Sequence, residues 1–146
     1  MTKKTVCLVL LMYLTIHSVF SQQSLTYTSQ FVDYQKALTL YNNSQFLAAQ
    51  SVFNQVKSKT SDEVLQSDCA YYIANCAVRL NQKNADDLIQ GFVEEYPTST
   101  KRNTAFIDVA DYYFENNKFA QSRKWYNKVD ENSLARPEKE KFNFNT

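Results

Sequence analysis

Residues 41–56 read YNNSQFLAAQSVFNQV, and residues 114–129 read FENNKFAQSRKWYNKV. Laid over each other without gaps, 73 residues apart, they share Asn43/Asn116, Phe46/Phe119, Asn54/Asn127 and Val56/Val129. Tyr41/Phe114, Ala49/Ser122, Val52/Trp125 and Phe53/Tyr126 match in class. Each stretch leaves an aromatic helix end, crosses a short polar break and resumes at another aromatic. Asn and Ser suit such a break, because their side chains can bond backbone groups that a helix end leaves free. Beyond it, Phe46, Ala49, Phe53 and Val56 recur at i, i+3, i+7 and i+10, as do Phe119, Ser122, Tyr126 and Val129. That spacing is one face of an α-helix.

Half of the spacing is about 36.5 residues, a period typical of stacked helix pairs. It predicts a middle copy near 77–92. RLNQKNADDLIQGFVEEYP, beginning at Arg79, supplies it, with Ala85, Ile89 and Phe92 at the places of Ala49, Phe53 and Val56. A long helix precedes it, with Leu65, Cys69, Tyr72, Cys76 and Leu80 every three or four residues. The break of this copy reads shorter than the other two. Tyr96-Pro97 ends the second pair, since proline cannot continue a helix and disfavours it in the residue before. Thr98 or Ser99 is expected to cap the next helix. Pro137, with Glu138 and Glu140, makes a good first turn for one more. The expected units are helix pairs at about 29–61, 62–99 and 100–136, with 137–146 the start of an incomplete fourth. No pair buries its apolar face alone, so neighbours must stack.

These positions resemble the tetratricopeptide repeats. That pattern places a large apolar residue at the start of the second helix and a small one three on. An aromatic follows four later, a small or apolar residue three beyond that, and often a proline. Phe46-Ala49-Phe53-Val56 and Phe119-Ser122-Tyr126-Val129 fit it, and Ala85-Ile89-Phe92-Pro97 fits in part. Ala37 and Ala110 stand where the family has a small glycine in the first helix, and Ser44 and Asn117 replace its usual glycine at the break. FVEEYPTST resembles a connector in exported bacterial envelope members. The resemblance covers about residues 29–146 and implies an all-α, right-handed solenoid of helix pairs. It also implies a concave groove, lined by the first helix of each pair, that binds a protein or peptide. Carried over, that groove would hold Tyr34, Leu38, Tyr41 and Asn42 in the first pair, and Asp111, Phe114 and Glu115 in the third. Tyr72 and Arg79 are the choices for the second.

The N-terminal 21 residues read differently. MTKK is basic, Thr5 to Phe20 is mostly apolar, and Val19-Phe20-Ser21 offers a cleavage site before Gln22. This predicts a secretory signal peptide, a short linker over 22–28 and an exported, periplasmic or outer-envelope protein. The apolar run is shorter than the roughly 20 residues a spanning helix needs. Cys7 lies too early to accept a lipid at that cleavage point. The formal charge is +1, and without Lys3 and Lys4 it falls by two to −1. Such a chain lacks the basic footprint of a nucleic-acid binder.

The residue inventory argues against catalysis and against bound cofactors or metals. His17, the single histidine, sits in the leader, and Gly91 is the single glycine. That removes His-based triads, His-containing zinc sites and phosphate-cradling loops. Asp86-Asp87 and Glu94-Glu95 read as solvated charges, and Arg123, Lys124 and Lys128 as a basic face favoured by the negative end of a helix. Trp125 and Tyr126 read as core between repeats. Cys69 and Cys76, seven residues apart on one helix, stand about 10 Å apart and cannot bridge; they read as half-buried apolar residues. The sequon Asn42-Asn43-Ser44 is too common a match to carry weight. The leading expectation is a scaffold that binds another envelope protein. A module for cell-wall glycan or polysaccharide is the alternative, on aromatic content and export. A third is a repeat region serving an enzyme or sensor domain outside this chain. KFNFNT, at the end of the chain, leaves the fourth pair without a second helix, which fits the N-terminal part of a longer repeat protein.

Overall fold

The computed structural model describes residues 29–134, with Lys139 and Phe142 beyond them. The expected leader, linker and most of the fourth unit lie outside these residues. The described residues are all helical, without a strand. Helix α1 spans 29–42. It is followed by α2 (Phe46–Lys59), α3 (Glu63–Arg79), α4 (Ala85–Glu95), α5 (Arg102–Glu115), α6 (Phe119–Tyr126) and a 3-10 turn at Glu131–Ser133. No helix among the described residues is long and apolar enough to cross a membrane.

The three breaks are built alike. Ser44, Asn81 and Asn117 each have a positive φ, at 60°, 51° and 60°. The amide of the following residue reaches back five positions: Gln45 to the Leu40 carbonyl, Gln82 to Ala77 and Lys118 to Tyr113. The left-handed residue itself donates to the carbonyl three before it, at Tyr41, Val78 and Phe114. This pair of backbone hydrogen bonds closes a helix C-terminus. Asn tolerates the left-handed region, which most residues with a Cβ avoid. The polar breaks therefore act chiefly through backbone conformation, and the expected side-chain bond to a free helix-end carbonyl is made by Asn116, whose Nδ2 donates to the Tyr112 carbonyl at 2.7 Å. Asn81 also settles the middle break. Ala85 follows it by four residues, whereas Ala49 and Ser122 follow theirs by five, because α4 opens with a tight Ala85 N–H to Gln82 carbonyl bond.

Asp62 caps α3, its Oδ1 accepting from the amides of Val64 (2.9 Å) and Leu65 (3.1 Å). Neither Thr98 nor Ser99 caps α5, whose N-cap is Lys101. Ser99 Oγ instead accepts from the Lys101 amide at 3.3 Å and pairs with Ser67 Oγ of α3 at 3.0 Å. The residue lies two positions too early for the cap and braces the connector against the helix beside it.

Two buried clusters meet on α3. Tyr34, Ala37, Ala49, Phe53 and Val56 pack with Leu65, Cys69, Ile73 and Cys76. The opposite flank of α3 carries Ala70, Tyr71, Ala74, Ala77 and Val78 into the second cluster, with α4, α5 and α6. A helix apolar on both flanks must be covered on both sides. The small residues Ala37, Ala74 and Ala110 are fully buried at matching places in α1, α3 and α5. Ala49, Ala85 and Ser122 are buried in the second helices, as are Phe53, Ile89 and Tyr126 one turn on. Trp125 is buried too and stacks on Phe106, at 6.0 Å between centroids. Cys69 and Cys76 are free thiols, fully buried where half-burial was expected. Burial pushes each thiol up to about 12. Phe142 packs edge-on against Tyr126, at 5.6 Å.

The outer helices are pinned by polar contacts 38 residues apart. Lys57 Nζ meets Glu95 at 3.0 Å, Lys124 Nζ meets Asp86 at 2.6 Å, and Lys128 Nζ donates to Gln90 Oε1 at 2.9 Å. Asp86 and Glu95 are thus tied to the neighbouring pair rather than simply solvated. The Lys124 and Lys128 ammonium groups answer side chains on α4, not the negative end of their own helix.

Candidate functional site

Tyr34 lies three residues before Ala37 on α1, and Tyr71 lies three before Ala74 on α3. Each tyrosine donates its hydroxyl to an aspartate on the next first helix of a pair. Tyr34 reaches Asp68 Oδ2 at 3.1 Å, and Tyr71 reaches Asp108 Oδ2. Burial, reinforced by the aspartate, raises both phenols well above their ordinary value. Lys101 completes the arrangement. Its ammonium sits 3.7 Å from Asp68 Oδ1 and over the Tyr71 and Tyr72 rings, at 5.3 and 5.7 Å.

Further along the same face, Tyr41, Tyr72 and Arg79 converge. Tyr72 stacks flat on Phe53, at 4.9 Å and 8° between planes, and meets Tyr34, Tyr41 and Tyr71 edge-on. Burial raises its phenol, and pushes that of Tyr41 up to about 12 even with Arg79 nearby opposing the shift. The Arg79 guanidinium lies over Tyr41 (5.3 Å), Phe46 (5.7 Å) and Tyr112 (5.8 Å). Its Nη1 donates to Asn75 Oδ1 at 3.0 Å, and Tyr112 donates its hydroxyl to the Arg79 carbonyl at 3.4 Å.

The other expected groove residues make contacts of their own. Tyr34 is buried up to its hydroxyl, and Leu38 packs on the first core cluster. Asp111 accepts the Tyr126 hydroxyl from α6, so it serves its own pair instead of the shared face. Phe114 packs edge-on against Phe119 at 5.5 Å, the same contact that Tyr41 makes with Phe46. Asn42 and Glu115 are exposed at the ends of α1 and α5.

Asp68, Tyr71, Lys101, Asp108 and Tyr112 belong to the face and were not anticipated. Stepping 37 residues from Tyr34 leads to Tyr71 and from Ala37 to Ala74, so the repeat itself held that part of the signal. A cleft of about 290 Å³ lies at the start of α3, between Glu63, Val64, Ser67 and the Tyr96–Thr100 turn. Asp68 lines it too. No group of three or more His, Cys, Asp or Glu able to hold a metal occurs among the described residues.

No family model, curated protein or solved structure matches the chain.

Proposed function

We propose that the chain is an exported scaffold of tetratricopeptide type, whose helix pairs form a right-handed solenoid. In this reading its first-helix face binds an extended segment of another envelope protein. The observation that carries the proposal is the ordered polar–aromatic face running across α1, α3 and α5. Tyr34, Tyr41, Tyr71, Tyr72 and Tyr112 are held there by aspartates, cations and one another. Tyrosine and arginine are favoured at interaction hot spots, where rigid rings give contact area at little entropic cost. The recurring left-handed breaks and matched buried alanines support the repeat reading.

The rings favour a polypeptide over a glycan. A sugar stacks on an open aromatic face, whereas the Tyr72 face is spent on Phe53 and the Tyr41 ring is packed by Phe46 and Arg79. Chemical crosslinking of envelope fractions tests the proposal. A discrete protein partner is the expected product. Failure to recover one at native abundance, with retention on insoluble cell-wall glycan, would transfer the function to the glycan reading.

A further inference from the structure

We propose that Arg79 is the specificity-determining residue of this face and reads a carboxylate side chain on the bound polypeptide. The inference rests on the polypeptide-binding reading above. Arg79 ends α3 and lies among rings from α1 (Tyr41), α2 (Phe46) and α5 (Tyr112). Its two hydrogen bonds, to Asn75 Oδ1 at 3.0 Å and the Asn75 carbonyl at 3.5 Å, both leave from Nη1. A guanidinium has five N–H donors. Those on Nε and Nη2 meet no acceptor among the described residues.

Lys57, Lys101 and Lys124 each meet a carboxylate, at 3.0, 3.7 and 2.6 Å, while Lys118 and Lys128 meet side-chain amide oxygens at 2.8 and 2.9 Å. Arg79 meets no carboxylate among the described residues, although it is partly buried. The Nε–Nη2 edge is the fork that pairs with a carboxylate through two parallel bonds. The rings and Asn75 hold that fork in place beforehand, so little entropy is lost when an anion arrives. One guanidinium balances one carboxylate. The matching places in the other pairs are Asn42 and Glu115, so a guanidinium stands at this place only in the middle pair among the described residues.

The test uses a displayed library of random dodecapeptides, selected on the full chain. Binders are expected to share an Asp or Glu at one aligned position. Changing that acid to its amide in a selected peptide should weaken binding by about 10- to 100-fold, the range of a hydrogen-bonded charge pair. Arg79→Gln should produce the same loss, and the two changes together no more than either alone. Arg79→Lys should recover only part of it. Binders without an acid preference, or losses that multiply in the double change, would overturn the role of Arg79 while leaving polypeptide binding in place. A selection that yields no binder overturns both. The amide peptide on the unaltered chain decides the matter even if Arg79→Gln fails to fold.

Discussion

Tyr34 on α1 donates its hydroxyl to Asp68 on α3 across 3.1 Å, and one repeat later Tyr71 makes the same bond to Asp108. The bond joins successive first helices, and Asp68 also meets the Lys101 ammonium at 3.7 Å. Removing the hydroxyl in Tyr34→Phe should cost about 1.5 kcal/mol, at the low end for a bond to a charged acceptor because water still reaches Asp68. Tyr71→Phe should cost a similar amount, since the two rings are equally buried. Urea denaturation of both variants checks this.

Ser122 supplies a test from within the repeat. Its hydroxyl is buried, at 2% exposure, and finds no hydrogen-bond partner among the described residues. Ala49 and Ala85 fill the matching places. Ser122→Ala should therefore raise stability by about 1 kcal/mol, by removing a desolvated hydroxyl. A loss of that size would mean the hydroxyl has a partner.

The left-handed breaks are expected to rank by residue type. Ser44→Gly should stabilise by about 0.5–1 kcal/mol, because Ser bears the steric cost of a positive φ more fully than Asn. Asn117→Gly should be close to neutral. Asn81→Val should cost about 2 kcal/mol, since a β-branched side chain is poorly accommodated at φ 51°. Denaturant midpoints for the three variants are the readout.

Much of this pattern was legible in the sequence, for a physical reason. Core positions must be filled by small or large apolar residues at helical spacing, so Ala49, Phe53 and Val56 could be matched with their later counterparts. The breaks were legible as places but not as mechanisms, because a left-handed Asn and a side-chain cap look alike in one dimension. Side-chain partners were read least well. Whether Asp111 meets Tyr126 depends on the tilt between α5 and α6, which a spacing rule does not contain. Lys101 lies in a connector, outside any helical period, and could be placed only by the fold.

Alkali should unfold the protein through its tyrosines. Burial holds Tyr41 at about 12 and also raises Tyr34, Tyr71, Tyr72, Tyr96 and Tyr113. An unfolded tyrosine titrates near about 10. The native state therefore keeps protons that the unfolded state releases. The contribution is fully present below about pH 10 and is lost as pH rises through about 12. Melts across pH 8–12, with phenolate absorbance followed in parallel, should show ionisation of these groups lagging until unfolding begins. Phenolate signal appearing in full near pH 10 on a folded chain would contradict the burial.

The central claim is that the face built by α1, α3 and α5 takes a polypeptide and the face built by α2, α4 and α6 does not. A photoreactive residue placed at exposed Asn42, at the groove end of α1, or at exposed Gln55, on outer helix α2, tests it directly in the intact envelope. A polypeptide adduct of one discrete mass at position 42, absent at position 55, is the expected result. Equal adducts at both positions, or adducts only at 55, would contradict the account.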